Sequence, residues 1–270
     1  MLKRTVTAVV AIAVFIPICY FSGAVPILWP AAMTVLSVVA AYEMMKCVGA
    51  THPALLVPGF FVSAAAPLSA HFLPFQLLLI LYVFFLIVYF AVDVFSRGKI
   101  DYQTSTAAFM GIFYSSASFA ALVLLRLLGP YFYLLVFIGP WTSDTFAYLV
   151  GRAIGKHKLI PEVSPKKTVE GAIGGVIFAA AAFVLYGWIV SLTGGSLGFG
   201  LPVLALMGAV VAAISQIGDL SMSVVKRRYD VKDYGKLFPG HGGVLDRFDS
   251  VLLAAPVLWI FGGFFLFVAR

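Results

Sequence analysis

The sequence predicts an all-α integral membrane protein: a polytopic helical bundle of about nine transmembrane helices, its N-terminus in the cytoplasm. Three observations lead there. The chain is 62% hydrophobic and only 11% charged, where a soluble domain carries about 25% charged residues, and its mean hydropathy is +1.05. Its apolar runs are long enough for helices of about 20 residues, the length that crosses a bilayer. Its Lys and Arg residues fall almost entirely on one side once the runs are threaded alternately. A transmembrane barrel would instead show short alternating segments.

The expected spans are Thr5–Phe21, Val25–Cys47, Pro53–His71, Phe75–Val94, Thr104–Leu128, Tyr131–Val150, Gly171–Thr193, Phe199–Met222 and Ser250–Ala269. The first begins with Lys3 and Arg4 before an apolar run, as a signal peptide does. A second apolar run follows at once and the cleavage signal near Ser22 is weak, so an uncleaved first span is expected. Pro17, Pro26, Pro30, Pro58 and Pro67 fall within or near the early spans, where neighbouring helices can satisfy the freed backbone groups. Cys19 and Cys47 have neither metal-type nor disulfide-type spacing and are expected to pack. Gly171, Gly174 and Gly175 open the seventh span as helix-packing residues. No internal repeat is evident.

With the N-terminus inside, only Arg126 and Arg270 of the 18 Lys and Arg residues fall outside. The net charge of +7 is thus a topology signal, and no nucleic-acid partner is expected. The predicted organisation is a set of N-terminal helices over 1–103 and a catalytic region over 104–270. That region carries two polar cytoplasmic loops, 151–170 and 223–249. The expected location is the cytoplasmic (inner) membrane, with the active site facing the cytoplasm.

The second loop differs most from its surroundings. It holds Lys226, Arg227, Arg228, Lys232, Lys236 and Arg247 among Asp230, Asp233, Asp246 and Asp249, around the run Pro239-Gly240-His241-Gly242-Gly243. Asp144 lies inside the sixth span, sharing a face with Trp141, Tyr148 and Arg152. Asp219 lies near the cytoplasmic end of the eighth, sharing a face with Ser215, Ser223 and Lys226. A charge inside a span is costly and usually faces a cavity or a partner. Taken singly, Asp144 could pair with Arg152, and Asp219 with Lys226, as structural ion pairs; two acids at matching depth beside the same basic loops favour function. Asp246 and Asp249, three apart, can face one point at a helix N-terminus, where capping is the simpler explanation. Carboxylates without a His/Cys cluster suit a hard divalent cation such as Mg²⁺, which bridges carboxylates to phosphates. His52, His71, His157 and His241 are scattered, which argues against zinc. Lys166, Lys167 and the second-loop cations suit several phosphates, although such charge runs also serve topology and lipid headgroups. The glycines allow close backbone approach to an anion. Gly151 to Lys156, GRAIGK, lacks the spacing of a P-loop. Residue type and spacing therefore reach polyphosphate chemistry at a membrane surface.

The pattern Ser223-x-x-Lys226-Arg227, Lys232-Asp233, Pro239-x-His241-Gly242-Gly243-x-x-Asp246-Arg247-x-Asp249 resembles the signature of the phosphatidate cytidylyltransferases, the membrane CDP-diacylglycerol synthases. The resemblance extends over roughly the C-terminal half, including the Asp144 span and SPKKTVEG. It implies transfer of the cytidylyl group of CTP to phosphatidic acid with Mg²⁺, giving CDP-diacylglycerol and pyrophosphate, and it admits a second, monovalent cation such as K⁺. By resemblance, Asp219 and Asp246 lead as metal ligands, with Asp144 and Asp249 next. Asp144, Asp219, Lys226, Asp246 and Arg247 form the catalytic set. Lys166, Lys167, Ser223, Arg227, Lys232, Asp233, His241, Gly242 and Gly243 contact substrate. A homodimer in the bilayer is compatible with the family. Two alternatives use similar parts: a CTP-dependent kinase of polyprenols or other lipid alcohols, which would need a general base such as Asp144 or His241, and an ion-coupled transporter built on Asp144 and Asp219.

Overall fold

The computed structural model describes residues 13–240 and 242–268. Helices dominate: α1 over the described residues 13–21, then α2 (Leu28–Val48), α3 (Pro53–Phe72), α4 (Phe75–Phe95), α5 (Tyr102–Leu128), α6 (Leu135–Ile154), α7 (Val169–Leu192), α8 (Leu201–Arg228) and α9 (Leu245–Val268). Seven of these, α2 to α5 and α7 to α9, are long and apolar enough to cross a membrane. The chain is an all-α integral membrane protein. The first expected span lies partly outside the described residues. The sixth forms α6, preceded by a 3₁₀ turn over Phe132–Leu134. α6 falls outside the group of seven because Thr142, Ser143, Asp144, Thr145 and Arg152 give it a polar flank.

Local chemistry sets the helix boundaries. α2 ends on Gly49, whose φ of 75° is the left-handed cap conformation that glycine adopts without a Cβ penalty. α3 opens with His52, whose Nδ1 accepts from Ala54 N, and with Pro53 in the first turn. Asp101 caps α5 by accepting from the Thr104 amide (2.8 Å) and hydroxyl (3.0 Å). Those donors hold its carboxyl below the usual range. Two boundaries differ from the sequence expectation. α8 runs on to Arg228, so Lys226, Arg227 and Arg228 occupy its last turn, where cations suit the helix dipole. α9 begins at Leu245, which brings Asp246 and Asp249 inside the helix. The irregular stretch is therefore 229–244.

Contacts divide the chain into two units, each assembled from separate stretches: 1–124 with 229–248, and 125–228 with 249–270. In the first, α2 is tied to α5 by Trp29, whose buried indole donates to Leu122 O (3.0 Å). α4 is tied to α3 by Tyr89, whose hydroxyl donates to Leu55 O (3.0 Å). Phe85, Phe109 and Phe113 stack along α4 and α5.

In the second unit α6, α7 and α8 pack closely. A β-carbon at Gly171, Gly174 or Gly175 would collide with Ala147 O, the Val150 side chain or Ser143 O, respectively. Small residues let helix backbones approach in a bilayer, where no hydrophobic force drives them together. These three glycines therefore pack α7 on α6, as the sequence suggested. Gln216 of α8 then spans both helices, donating to Ser143 Oγ on α6 (2.9 Å) and Ala172 O on α7 (3.0 Å). Between α6 and α7 lies a small antiparallel hairpin, β1 (Lys158–Ile160) and β2 (Ser164–Thr168). Glu170 fastens it, accepting from the Lys156 and His157 amides and from His157 Nδ1 at 2.6 Å. Thr168 caps α7 by accepting from Gly171 N.

Candidate active site

In the second unit the hairpin brings Lys167 to α8, where its ammonium donates to Asp219 Oδ2. Asp144 on α6 interacts electrostatically with both Asp219 and Lys167, and accepts a hydrogen bond from the Ser250 hydroxyl on α9. Asp249, also on α9, interacts with Asp219, Asp144 and Lys226. Its Oδ1 accepts from Ser250 N (2.9 Å). Three helices and the hairpin thus converge three carboxylates and two lysines. Ser223 lies half-buried one turn beyond Asp219 on α8. Of the residues considered for ion pairs from sequence, Arg152 donates to the Tyr148 hydroxyl, and Asp219 takes Lys167.

Asp246, in the first unit, has partners of another kind. It is 8% exposed, and its Oδ2 accepts from Tyr234 N (2.8 Å) and Gly243 N (2.9 Å). These bonds close the 234–243 stretch onto the start of α9. Phe238 N donates to Gly242 O (2.9 Å). Gly240 and Gly242 take φ of 78° and 86°, the region that favours glycine. Around this backbone lies a pocket of about 620 Å³ lined by Lys232, Asp233, Lys236, Phe238, Gly242 and Arg247, among others. Three cations against one carboxylate give it a lining that suits an anion. Lys166 and Arg227 are exposed, on β2 and the last turn of α8. His241 lies outside the described residues.

One residue was missed in the sequence. Glu43, near the end of α2, is 3% exposed. Its Oε1 accepts from Val244 N (3.0 Å) and its Oε2 from Leu245 N (2.9 Å). The available signal was a lone acid in an otherwise apolar span, costly unless it meets a partner. Gln216 was also missed, because nothing local marks a glutamine that bridges two other helices.

Among the described residues, no three His, Cys, Asp or Glu side chains stand close enough together to enclose a metal ion by themselves. The Asp144, Asp219 and Asp249 carboxylates are nevertheless hard oxygen donors that act on one another, which is the donor chemistry Mg²⁺ requires. That ion commonly takes one or two carboxylates and completes its shell with water and substrate phosphates. The cluster fits such a partial site.

Residues 2–265 match the model of the cytidylyltransferase family. The chain belongs to this family. A family protein of Staphylococcus haemolyticus, a phosphatidate cytidylyltransferase, is 32% identical over 262 residues, covering 94% of this chain and 96% of its own. The phosphatidate cytidylyltransferase of Staphylococcus aureus strain COL is 31% identical over 261 residues, with the same coverage of both chains. That of Brucella abortus is 48% identical over 158 residues, 57% of this chain and 56% of its own. The family expected from the Ser223–Asp249 pattern is the family found.

Proposed function

We propose that this protein is a CDP-diacylglycerol synthase, a nucleotidyltransferase of phospholipid biosynthesis. It transfers the cytidylyl group of CTP to phosphatidic acid. The observation that carries the reading is the convergence of Asp144, Asp219 and Asp249 with Lys167 and Lys226. Carboxylates and lysines that act on one another suit a substrate that is itself a chain of phosphates with a divalent cation.

The chemistry needs no protein nucleophile. An oxygen of the phosphatidate phosphate, already an anion, attacks the α-phosphorus of CTP. A new P–O bond forms, the bond to the bridging α,β-oxygen breaks, and pyrophosphate leaves with that oxygen and its electron pair. The protein's task is to bring two anions together and to stabilise charge. Lys167 and Lys226 answer the repulsion between the phosphates. Lys232, Lys236 and Arg247 supply cations for the nucleotide in the pocket of the first unit, where the backbone around Gly240 and Gly242 permits close approach. Asp144, Asp219 and Asp249 would hold Mg²⁺. When bound, Mg²⁺ neutralises phosphate charge as a Lewis acid. Asp246, with one oxygen given to two amides, shapes the pocket. The Lys and Arg distribution supports an active site on the cytoplasmic face, where CTP is at hand and phosphatidic acid arrives from the bilayer.

The test is a product assay. Purified protein is incubated with CTP labelled at the α-phosphate, phosphatidic acid and Mg²⁺. Label entering the lipid phase with release of pyrophosphate is expected, and chelation of Mg²⁺ should abolish it. Release of CDP, with label left in water, would point to a lipid kinase and overturn the reading.

A further inference from the structure

We infer that Glu43, on a helix of the N-terminal bundle, is a positioning residue for the nucleotide pocket; the inference rests on the cytidylyltransferase reading above. Glu43 stands 201 residues from its hydrogen-bond partner Val244. The first amides of a helix have no partner within it. Glu43 fills that need at the start of α9, giving one oxygen to Val244 N and the other to Leu245 N. A carboxylate is also the charge that a helix N-terminus favours. The same carboxylate seats the loop. A β-carbon at Gly235 or Gly243 would collide with Glu43 Oε1. These two glycines therefore allow the 235 and 243 backbones to close onto Glu43.

Those backbones carry the pocket. Gly235 itself lines it, with Lys232 and Lys236 on either side and Gly242 and Arg247 beyond. Asp246 closes the same stretch from within, through Tyr234 N and Gly243 N. The loop is thus gripped twice, by Asp246 from its own helix and by Glu43 from α2. Glu43 touches no reacting group in this scheme. It fixes where the pocket's cations and amides stand, so its loss falls on nucleotide affinity before it falls on the chemical step.

The test is Glu43→Gln in the full-length protein. The amide keeps the shape but can offer an acceptor to only one of the two N–H groups; its NH₂ faces the other. The expected result is a rise of about tenfold or more in KM for CTP, since two backbone bonds to a charged group are disturbed. KM for phosphatidic acid should stay near the parent's, and trypsin should cut faster after Lys232 and Lys236. A residue that only stabilised the bundle would lower the unfolding midpoint and the active fraction while leaving KM for CTP unchanged in the surviving enzyme. That result, or a parent-like tryptic pattern, would overturn the proposal. If Glu43→Gln does not accumulate, Gly235→Ala disturbs the same contact from the loop side, and a parent-like KM for CTP there overturns it equally. A parent protein that turns over no CTP would instead sink the cytidylyltransferase reading.

Discussion

The two units hold their acids in contrasting ways. In the first, Glu43 and Asp246 are buried and give oxygens to backbone amides. In the second, Asp144, Asp219 and Asp249 act on one another and on Lys167 and Lys226. A carboxylate bound to amides is committed: the donors cannot leave without unfolding the loop. A carboxylate that faces a lysine is available, because the lysine can turn to a phosphate and its place can be taken by a cation. Under the proposed function, one residue type would serve as scaffold in one unit and as reagent holder in the other. The partner atoms, not the residue identity, tell them apart.

The sharpest way to break this comparison is a pair of variants on one helix. Asp249→Asn should lower turnover by about 10²–10³-fold, the scale of losing one electrostatic stabiliser at a reacting phosphate, with the unfolding midpoint little changed. Asp246→Asn keeps the side chain's shape but weakens its bonds to the Tyr234 and Gly243 amides. Its signature should be a looser loop, read as faster trypsin cleavage at Lys232 and Lys236. If Asp246→Asn left the loop intact and abolished Mg²⁺-dependent turnover, Asp246 would belong with the metal ligands, as the family pattern suggests.

The contrast was only half legible in the sequence. Asp144 and Asp219 stood out because a charge in an apolar run is costly, and the two basic loops stood out by composition. Asp246 and Asp249 sit three apart in DRFD and look alike there. Helix spacing puts both near one end, but it cannot say that one closes onto the Tyr234 and Gly243 amides while the other faces Asp219, Asp144 and Lys226. Those partners, Tyr234 and Gly243 for Asp246 and Lys226 for Asp249, are met only on folding. Glu43 carried a signal as a lone acid in an apolar span, but its partner, 201 residues away, could not be read from it. The helix boundaries at Arg228 and Leu245 were misplaced because charged residues were read as loop, whereas the last turn of α8 and the first of α9 accommodate them through the helix dipole.

A second, smaller effect tests what holds the carboxylate cluster in shape. Gly175→Ala would place a β-carbon 2.8 Å from Ser143 O and 2.9 Å from Gln216 Nε2. Backbone cannot yield as a side chain tip does, so α7 must move away from α6. A destabilisation of about 1–3 kcal/mol is expected, the usual cost of overpacking, measured as the unfolding midpoint in detergent. Because α6 carries Asp144, turnover should fall as well. KM for CTP should hold if the pocket of the first unit is independent of this packing. A rise in KM for CTP with normal stability would show that the two units do not divide the work as argued.

The smallest expected effect is the most discriminating about the force involved. Gln216 joins α8 to α6 and α7 through two hydrogen bonds, to Ser143 Oγ and Ala172 O. Both acceptors are uncharged, and Ala172 O lies within a helix. Losing Gln216 therefore strands no charge. Polar contacts between membrane helices average about 0.6 kcal/mol, because the partners find substitutes once separated. Gln216→Ala should then shift the midpoint only slightly, by an amount consistent with ~1 kcal/mol or less, and leave turnover within a few-fold of the parent. Steric fit at Gly171, Gly174 and Gly175 would remain the main tie between α6 and α7. A loss as large as that of Gly175→Ala would reverse the order, making Gln216 the clamp that sets the distance between Asp144 on α6 and Asp219 on α8. In that case the variant should lose turnover with the carboxylates untouched, and restoring the amide with Gln216→Asn, one methylene shorter, should recover stability only in part.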